Sequence, residues 1–222
     1  MAQDSSRPDF WDTRYAAGVT PWDARGAPPM LEAWIAAQSD RLRGARVLVP
    51  GCGSGYEVRC FARAGCAVLA IDFSDAALQA AQRELGELAH LARKGDFFGF
   101  EGDDAPFDLV YERALLCALP RRVWSDWGRR MAALIPPGAL LAGFFYFDDN
   151  AKGPPFGIDA GVLQALLDPG FVRVEDHLVP AEQCLPMFAG KERWQVWRRS
   201  GSQPGDAPLD TSLALEQAHG AR

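Results

Sequence analysis

The sequence predicts a three-layer α/β domain. An open, mostly parallel sheet of seven strands is covered by helices on both faces, with one antiparallel strand near the C-terminus. Three observations carry this prediction. Short apolar runs recur at 47–49, 68–72, 107–111 and 140–147, each bounded by turn residues, as buried parallel strands are. Stretches of helical periodicity lie between them, and alternating strands and helices give a parallel sheet with helical crossovers. The closing strands 171–177 and 192–198 are joined by a loop with no helical pattern, which makes them an antiparallel pair.

The strand 47–49 runs into Pro50-Gly51-Cys52-Gly53-Ser54-Gly55 and then a helix over 56–64, with Val58, Phe61 and Ala62 on one face. Strand, glycine turn and helix make a ligand crevice at the carboxyl ends of the strands, where the backbone approaches the ligand without a Cβ in the way. A dinucleotide fingerprint would place its third glycine at position 56, which is Tyr56 here. The spacing G-x-G-x-G is instead typical of sites for S-adenosylmethionine (SAM), which has no pyrophosphate to seat. Gly51, Cys52, Gly53 and Gly55 are therefore the candidate backbone contacts. The second strand, 68–72, ends in Asp72, 21 residues after Gly51. A carboxylate at that tip accepts hydrogen bonds from ribose hydroxyls.

The remaining elements follow in order. Phe10, Trp11, Arg14 and Tyr15 fit a short amphipathic helix, and Thr20-Pro21-Trp22-Asp23 a turn. These aromatics either plug the end of the sheet or form a lid over a cationic ligand, since a sulfonium is attracted to aromatic faces. Pro28-Pro29 opens a helix over 30–39. Ser74 is an N-cap for a helix over 75–87, and a strand near 90–94 leads into Gly95-Asp96-Phe97-Phe98. Asp96 is placed to accept from an adenine amino group and Phe97 to pack on the ring; otherwise they are a loop carboxylate and a core ring. Residues 99–106 form a connection. Glu112 and Arg113 follow the tip of the fourth strand, 107–111, where paired charges point to a site or form a surface ion pair. Helices over 121–134 and 159–167 complete the set.

The composition bounds the function. The chain has 222 residues, 48% hydrophobic and 23% charged, with a net charge of −6. This suits a single globular domain and offers no basic surface for a nucleic-acid backbone. No run approaches the roughly 18 apolar residues of a membrane span, and the N-terminus lacks a signal-peptide pattern. The expectation is a cytoplasmic monomer without nucleic-acid or membrane partners. Its divisions are a lid segment at 1–44, a catalytic domain at 45–199 and a disordered tail at 200–222. The five cysteines are scattered, with neither a C-x-x-C pair nor a metal-ligand spacing. No metal is expected.

In this order, Phe10-Trp11, Thr20-Pro21-Trp22-Asp23, Pro50-Gly51-Cys52-Gly53-x-Gly55, Asp72-x-Ser74, Gly95-Asp96-Phe97-Phe98, Tyr111-Glu112-Arg113, Gly153-Pro154-Pro155-Phe156 and Gly190-Lys191-Glu192-Arg193 resemble the thiopurine S-methyltransferase superfamily, which includes the halide/thiol methyltransferases. The resemblance covers about residues 10–198. It implies a Rossmann-like methyltransferase fold and SAM as cofactor. Trp11, Tyr15 and Trp22 would cover the cofactor, Gly51 would approach its methionine part, Asp72 would hold the ribose, and Asp96 with Phe97 would frame the adenine. Glu112 is counted with the cofactor contacts, and Arg113 orients either the acceptor or the cofactor. Tyr15 stands where relatives often carry Trp. Arg113 matches thiopurine-type members, whereas plant halide/thiol enzymes have Tyr at that position.

The expected reaction is methyl transfer to a small acceptor: a thiol or thiopurine sulfur, or alternatively a halide. The chain has only three histidines, His90, His177 and His219, and none falls at a strand's carboxyl end. Without an evident base, a thiol is favoured over an alcohol, because it ionises near neutral pH and is intrinsically nucleophilic. DNA amino methylation is excluded by Gly153, which offers no side-chain acceptor in its Pro-Pro-Phe loop. An NAD-dependent oxidoreductase and a non-catalytic SAM-binding protein are the alternatives from other classes.

Overall fold

A computed structural model of the chain describes residues 4–100 and 105–201. Residues 202–222 of the tail expected at 200–222, residues 1–3 of the expected lid segment and part of the 99–106 connection lie outside the described residues. Along the chain, α1 (Pro8–Ala16), α2 (Pro29–Ala37) and the short α3 (Ser39–Leu42) precede β1 (Arg46–Pro50). Next come α4 (Tyr56–Arg63), β2 (Ala67–Asp72), α5 (Asp75–Leu85), β3 (Ala92–Lys94), β4 (Leu109–Arg113), α6 (Leu115–Ala118) and α7 (Trp124–Leu134). The chain closes with β5 (Leu140–Tyr146), α8 (Ala160–Leu167), β6 (Phe171–Leu178) and β7 (Glu192–Arg199).

All seven strands form one sheet in the order β3-β2-β1-β4-β5-β7-β6. β1 to β5 pair in parallel. β7 runs antiparallel to both β5 and β6, so it is the single reversed strand. The chain builds outward from β1 through β2 to β3, then returns to place β4 on the other side of β1. That reversal opens a crevice at the carboxyl ends of β1 and β4, the place where open α/β sheets bind ligands.

Successive strand residues point to opposite faces, and each face has its own core. Val47, Val49, Leu109 and Tyr111 meet Val58 and Phe61 of α4 and Leu31 and Trp34 of α2. On the other face, Leu48, Val110, Leu141 and Phe145 pack with Trp127 and Met131 of α7, Leu163 of α8 and Trp197.

Element boundaries depart from the sequence reading at four places. The helix expected over 30–39 breaks at Gln38 into α2 and α3. α5 stops at Leu85, and a 3-10 segment, Gly86–Leu91, carries the chain to β3. The helix expected from 121 opens as a 3-10 turn, Arg121–Val123, and becomes α-helical at Trp124. β4 starts later and runs further than expected, because Glu112 and Arg113 continue its pairing to Gly143 and Phe144 of β5. These two charges are therefore strand residues on opposite faces.

Candidate active site

A cavity of about 340 Å³ lies at the carboxyl ends of β1, β2 and β4. Its floor is the turn from Pro50 to Ser54. At Gly53 the backbone takes φ +52°, and an added Cβ would stand 3.1 Å from the Tyr15 hydroxyl. Glycine is required there by both conformation and space. The Gly53 N–H donates to Asp72 Oδ2 at 3.1 Å. Gly51 and Cys52 also line the cavity. The Cys52 N–H is tied to the Ile71 carbonyl at 3.1 Å. Burial pushes the Cys52 thiol well above its ordinary range, so it is a neutral small side chain rather than a nucleophile.

Gly55 does not reach the cavity. It stands before α4 at φ +79°, and an added Cβ would meet Leu85 at 3.3 Å and Ala81 at 3.4 Å. Its role is close packing of α4 on α5, not the ligand contact expected from the motif.

Asp72 is 7% exposed. Its Oδ2 accepts from Gly53, and its Oδ1 accepts from the Ser74 N–H at 2.9 Å. Burial pushes its pKa up to about 6 against the pull of those backbone donors. A carboxylate offers about four acceptor positions, so capacity remains toward the cavity for a pair of hydroxyls. Ser74 caps α5 as predicted, with its Oγ accepting from the Ala77 N–H at 3.0 Å.

The N-terminal segment forms one wall. The Trp22 and Trp11 ring centres lie 5.1 Å apart and those of Trp22 and Tyr15 5.8 Å apart, both edge to face. The three rings line the cavity. Two carboxylates to which the sequence reading gave no role of their own hold this wall down. Asp12 Oδ1 accepts from the Ser74 hydroxyl at 2.7 Å and the Ala76 N–H at 3.0 Å, bracing α1 on the start of α5. Asp23 Oδ2 accepts from the Ser54 hydroxyl at 2.6 Å. Across the cavity lie Asp96, whose Oδ1 accepts from the Phe98 N–H at 3.1 Å, and the ring of Phe97.

Arg113 and Glu112 separate sharply. Arg113 lines the cavity, donates to Glu57 Oε1 at 3.3 Å, and sits 5.1 Å from the Phe144 ring centre. The two paired side chains are only 10% and 13% exposed. Glu112 faces the other side of β4, outside the cavity. Its Oε1 accepts from the Leu116 N–H at 2.8 Å, and burial pushes its pKa up to about 7. The expected cofactor contact is thus replaced by a support role, since Glu112 holds α6, whose Leu115 and Ala118 face the cavity.

Glu57 was not singled out in the sequence, where it read as one polar residue of an amphipathic helix. Glu192 was also passed over, although it stands in the quoted Gly190-Lys191-Glu192-Arg193 stretch. It is buried and accepts from the Leu185 N–H at 2.7 Å. Among the described residues no cluster suited to a metal ion occurs, and no helix is long and apolar enough to cross a membrane.

The pieces fit SAM. A carboxylate with free acceptor positions stands at the tip of β2, a glycine-rich turn at the tip of β1, and aromatic walls on both sides. Comparisons with known proteins agree. The chain is 29% identical to a probable thiol methyltransferase 2 of Arabidopsis thaliana, over 91% of this chain and 89% of that one. It is 28% identical to a thiopurine S-methyltransferase of Vibrio cholerae, over 85% and 97%. Among solved structures, the SAM-bound magnesium protoporphyrin IX methyltransferase of Synechocystis superposes with a TM-score of 0.69. That match is 19% identical and covers 90% of this chain and 99% of that one, a likeness of fold. Residues 6–200 match the model of the thiopurine S-methyltransferase family; the chain belongs to that family and is a SAM-dependent methyltransferase.

Proposed function

We propose that the enzyme methylates the sulfur of a small thiol. One observation carries this reading: no histidine or lysine lines the cavity among the described residues, and its carboxylates are given to positioning, Asp23 on Ser54, Glu57 on Arg113, Asp72 on Gly53 and Ser74, and Asp96 on Phe98. An alcohol would need a general base, whereas a thiol with a pKa near 8.5 ionises to water and reacts as its thiolate. The sulfur acceptors in the names of the thiol and thiopurine relatives support the same reading.

Bound SAM supplies a methyl carbon already activated by its sulfonium charge. The protein's part is alignment and exclusion of water. Asp72 holds the ribose, Asp96 and Phe97 frame the adenine, and the turn at Gly51–Gly53 leaves room for the methionine end. Trp11, Tyr15 and Trp22 close as a lid over the sulfonium, whose charge aromatic faces attract, whereas α2 belongs to the core of the domain through Leu31 and Trp34. The acceptor enters on the apolar side lined by Leu119, Pro154, Pro155, Met187 and Phe188, with Arg113 facing the thiolate. A cytoplasmic location suits five free thiols, the state a reducing compartment maintains.

The test is kcat/KM against pH at saturating SAM for a series of thiols. The profile should follow each acceptor's own pKa, moving left by about the pKa difference as the thiol becomes more acidic. A profile that stays fixed while the acceptor pKa varies would reveal a protein base and overturn the reading.

A further inference from the structure

Gly153-Pro154-Pro155-Phe156 reaches the cavity on a loop that is wound on itself. The Gly157 N–H donates to the Asn150 carbonyl at 3.1 Å, which closes residues 150–157 into one unit. Inside it, an added Cβ at Gly153 would stand 2.5 Å from the Phe156 ring, so the loop closes only with glycine there. The Phe156 N–H donates to the Cys117 carbonyl of α6 at 2.7 Å. The unit presents Pro154 and Pro155 to the cavity. Proline offers a ligand no N–H donor, so these two residues serve as an apolar wall.

One side chain outside the loop holds both of its ends. Arg121, in the 3-10 turn before α7, donates from Nη2 to the Gly157 carbonyl at 2.7 Å and to the Asn150 carbonyl at 3.1 Å. Its guanidinium lies 5.2 Å from the Trp124 ring centre. Trp124 is fixed in turn, its Nε1 donating to the Leu116 carbonyl at 3.2 Å and the Leu119 carbonyl at 3.0 Å. The next residue, Arg122, turns to the opposite wall. Its Nη2 donates to Asp4 Oδ2 at 2.6 Å and to the Ser6 hydroxyl at 2.8 Å. Ser5 and Ser6 line the cavity beside Trp11, whose Nε1 donates to the Ser5 carbonyl at 2.8 Å. Two adjacent arginines thus serve two different walls.

We propose that Arg121 is a positioning residue for acceptor selection: by pinning both ends of the 150–157 loop it fixes how far Pro154 and Pro155 stand into the cavity, and so how large a thiol the site aligns. This rests on the reading of that side of the cavity as the acceptor's. A large thiol packs its body on the wall, whereas methanethiol has only a methyl group beyond its sulfur. Releasing the loop costs the large acceptor its alignment and spares the small one, because reaction depends on holding the sulfur in line with the methyl carbon.

The experiment compares kcat/KM for benzenethiol and methanethiol at saturating SAM in the full-length enzyme. It also measures by calorimetry the affinity of benzenethiol for enzyme saturated with S-adenosylhomocysteine (SAH), the demethylated product. Arg121→Gln should lower the benzenethiol-to-methanethiol ratio about tenfold and weaken benzenethiol binding likewise, with SAH affinity unchanged. Arg122→Gln is the same replacement on the same turn and should leave the ratio as in wild type. It should weaken SAH binding by no more than about fivefold, since an exposed ion pair contributes little. Arg121 is exposed, so its replacement leaves both cores intact. Should Arg121→Gln nonetheless not fold, Arg121→Lys keeps the charge without the reach of the guanidinium and should shift the ratio the same way by a smaller factor. An unchanged ratio in a folded Arg121 variant, an equal loss for both thiols, or no binding of benzenethiol to the wild type would overturn the proposal. Binding of benzenethiol without methyl transfer to any thiol would overturn the thiol reading instead, and the benzenethiol affinities would still decide the role of Arg121.

Discussion

Replacing Asp72 with Asn isolates the carboxylate on which the cofactor assignment most depends. In the folded protein both oxygens take backbone donors, Gly53 at 3.1 Å and Ser74 at 2.9 Å. Asn offers only one oxygen, so its NH₂ must face a backbone N–H or the ribose. Hydrogen bonds to a charged group contribute about 1.5–3 kcal/mol each. Losing one from the ribose should therefore weaken SAH binding on the order of 10- to 100-fold.

Stability should respond differently. Holding the carboxylate ionised in this site, with its pKa raised from 3.8 to about 6, costs on the order of 3 kcal/mol at neutral pH. Asn escapes that cost, which offsets the roughly 1–3 kcal/mol of a backbone donor left unpaired. The expected pattern is a large loss of affinity by calorimetry with a shift of only a few degrees in the Tm of the ligand-free protein. Unchanged affinity would refute the ribose assignment. A collapse of Tm with affinity preserved would make Asp72 a loop anchor instead.

Two further outcomes follow from the same geometry. Ribose hydroxyls donate to the ionised carboxylate, so SAH affinity should be level above about pH 7 and fall as pH drops through about 6. In the ligand-free protein, the contribution of Asp72 to stability has the opposite sign, being present below 3.8 and lost as pH rises through about 6. Calorimetric titrations across pH 5 to 8 would check this, and an affinity independent of pH over that range would contradict it. Trp22→Ala removes the ring that both Trp11 and Tyr15 meet edge to face; SAM binding should weaken about tenfold, within the roughly 0.5–2 kcal/mol of a cation–π contact to the sulfonium, while circular dichroism stays unchanged. Undiminished binding would leave these rings a purely structural role.

The parts of the site legible in the sequence are those written in local pattern. A β-branched run ending in a glycine turn, a strand ending in Asp72, and Ser74 before a helix each carry their reason within a few residues. Asp12 and Glu57 carry no such mark. The Ser74–Asp12 bond spans 62 positions and the Arg113–Glu57 pair 56, so the sheet's topology, not sequence spacing, brings them together. Gly55 shows the converse. Its motif position suggests a ligand, but its φ of +79° and the approach of Leu85 and Ala81 to 3.3 and 3.4 Å of a would-be Cβ account for a glycine there.

Glu112 and Arg113 show how finely the assignment depends on register. A strand ending at Tyr111 leaves both charges at its tip, and nothing then distinguishes them. Continuing the ladder by two residues restores the alternation, so Tyr111 and Arg113 share the cavity face and Glu112 turns to the other. There the burial of Glu112 is tolerable because the N–H of Leu116, at the start of α6, meets it at 2.8 Å, and a buried carboxylate needs such donors. The apolar run after Arg113 is therefore more than a return to core packing. It is the short helix whose free N–H groups make a charge on the far face of β4 affordable. The position of that helix in turn brings Leu115 against the glycine turn, 3.1 Å from where a Cβ of Gly51 would lie.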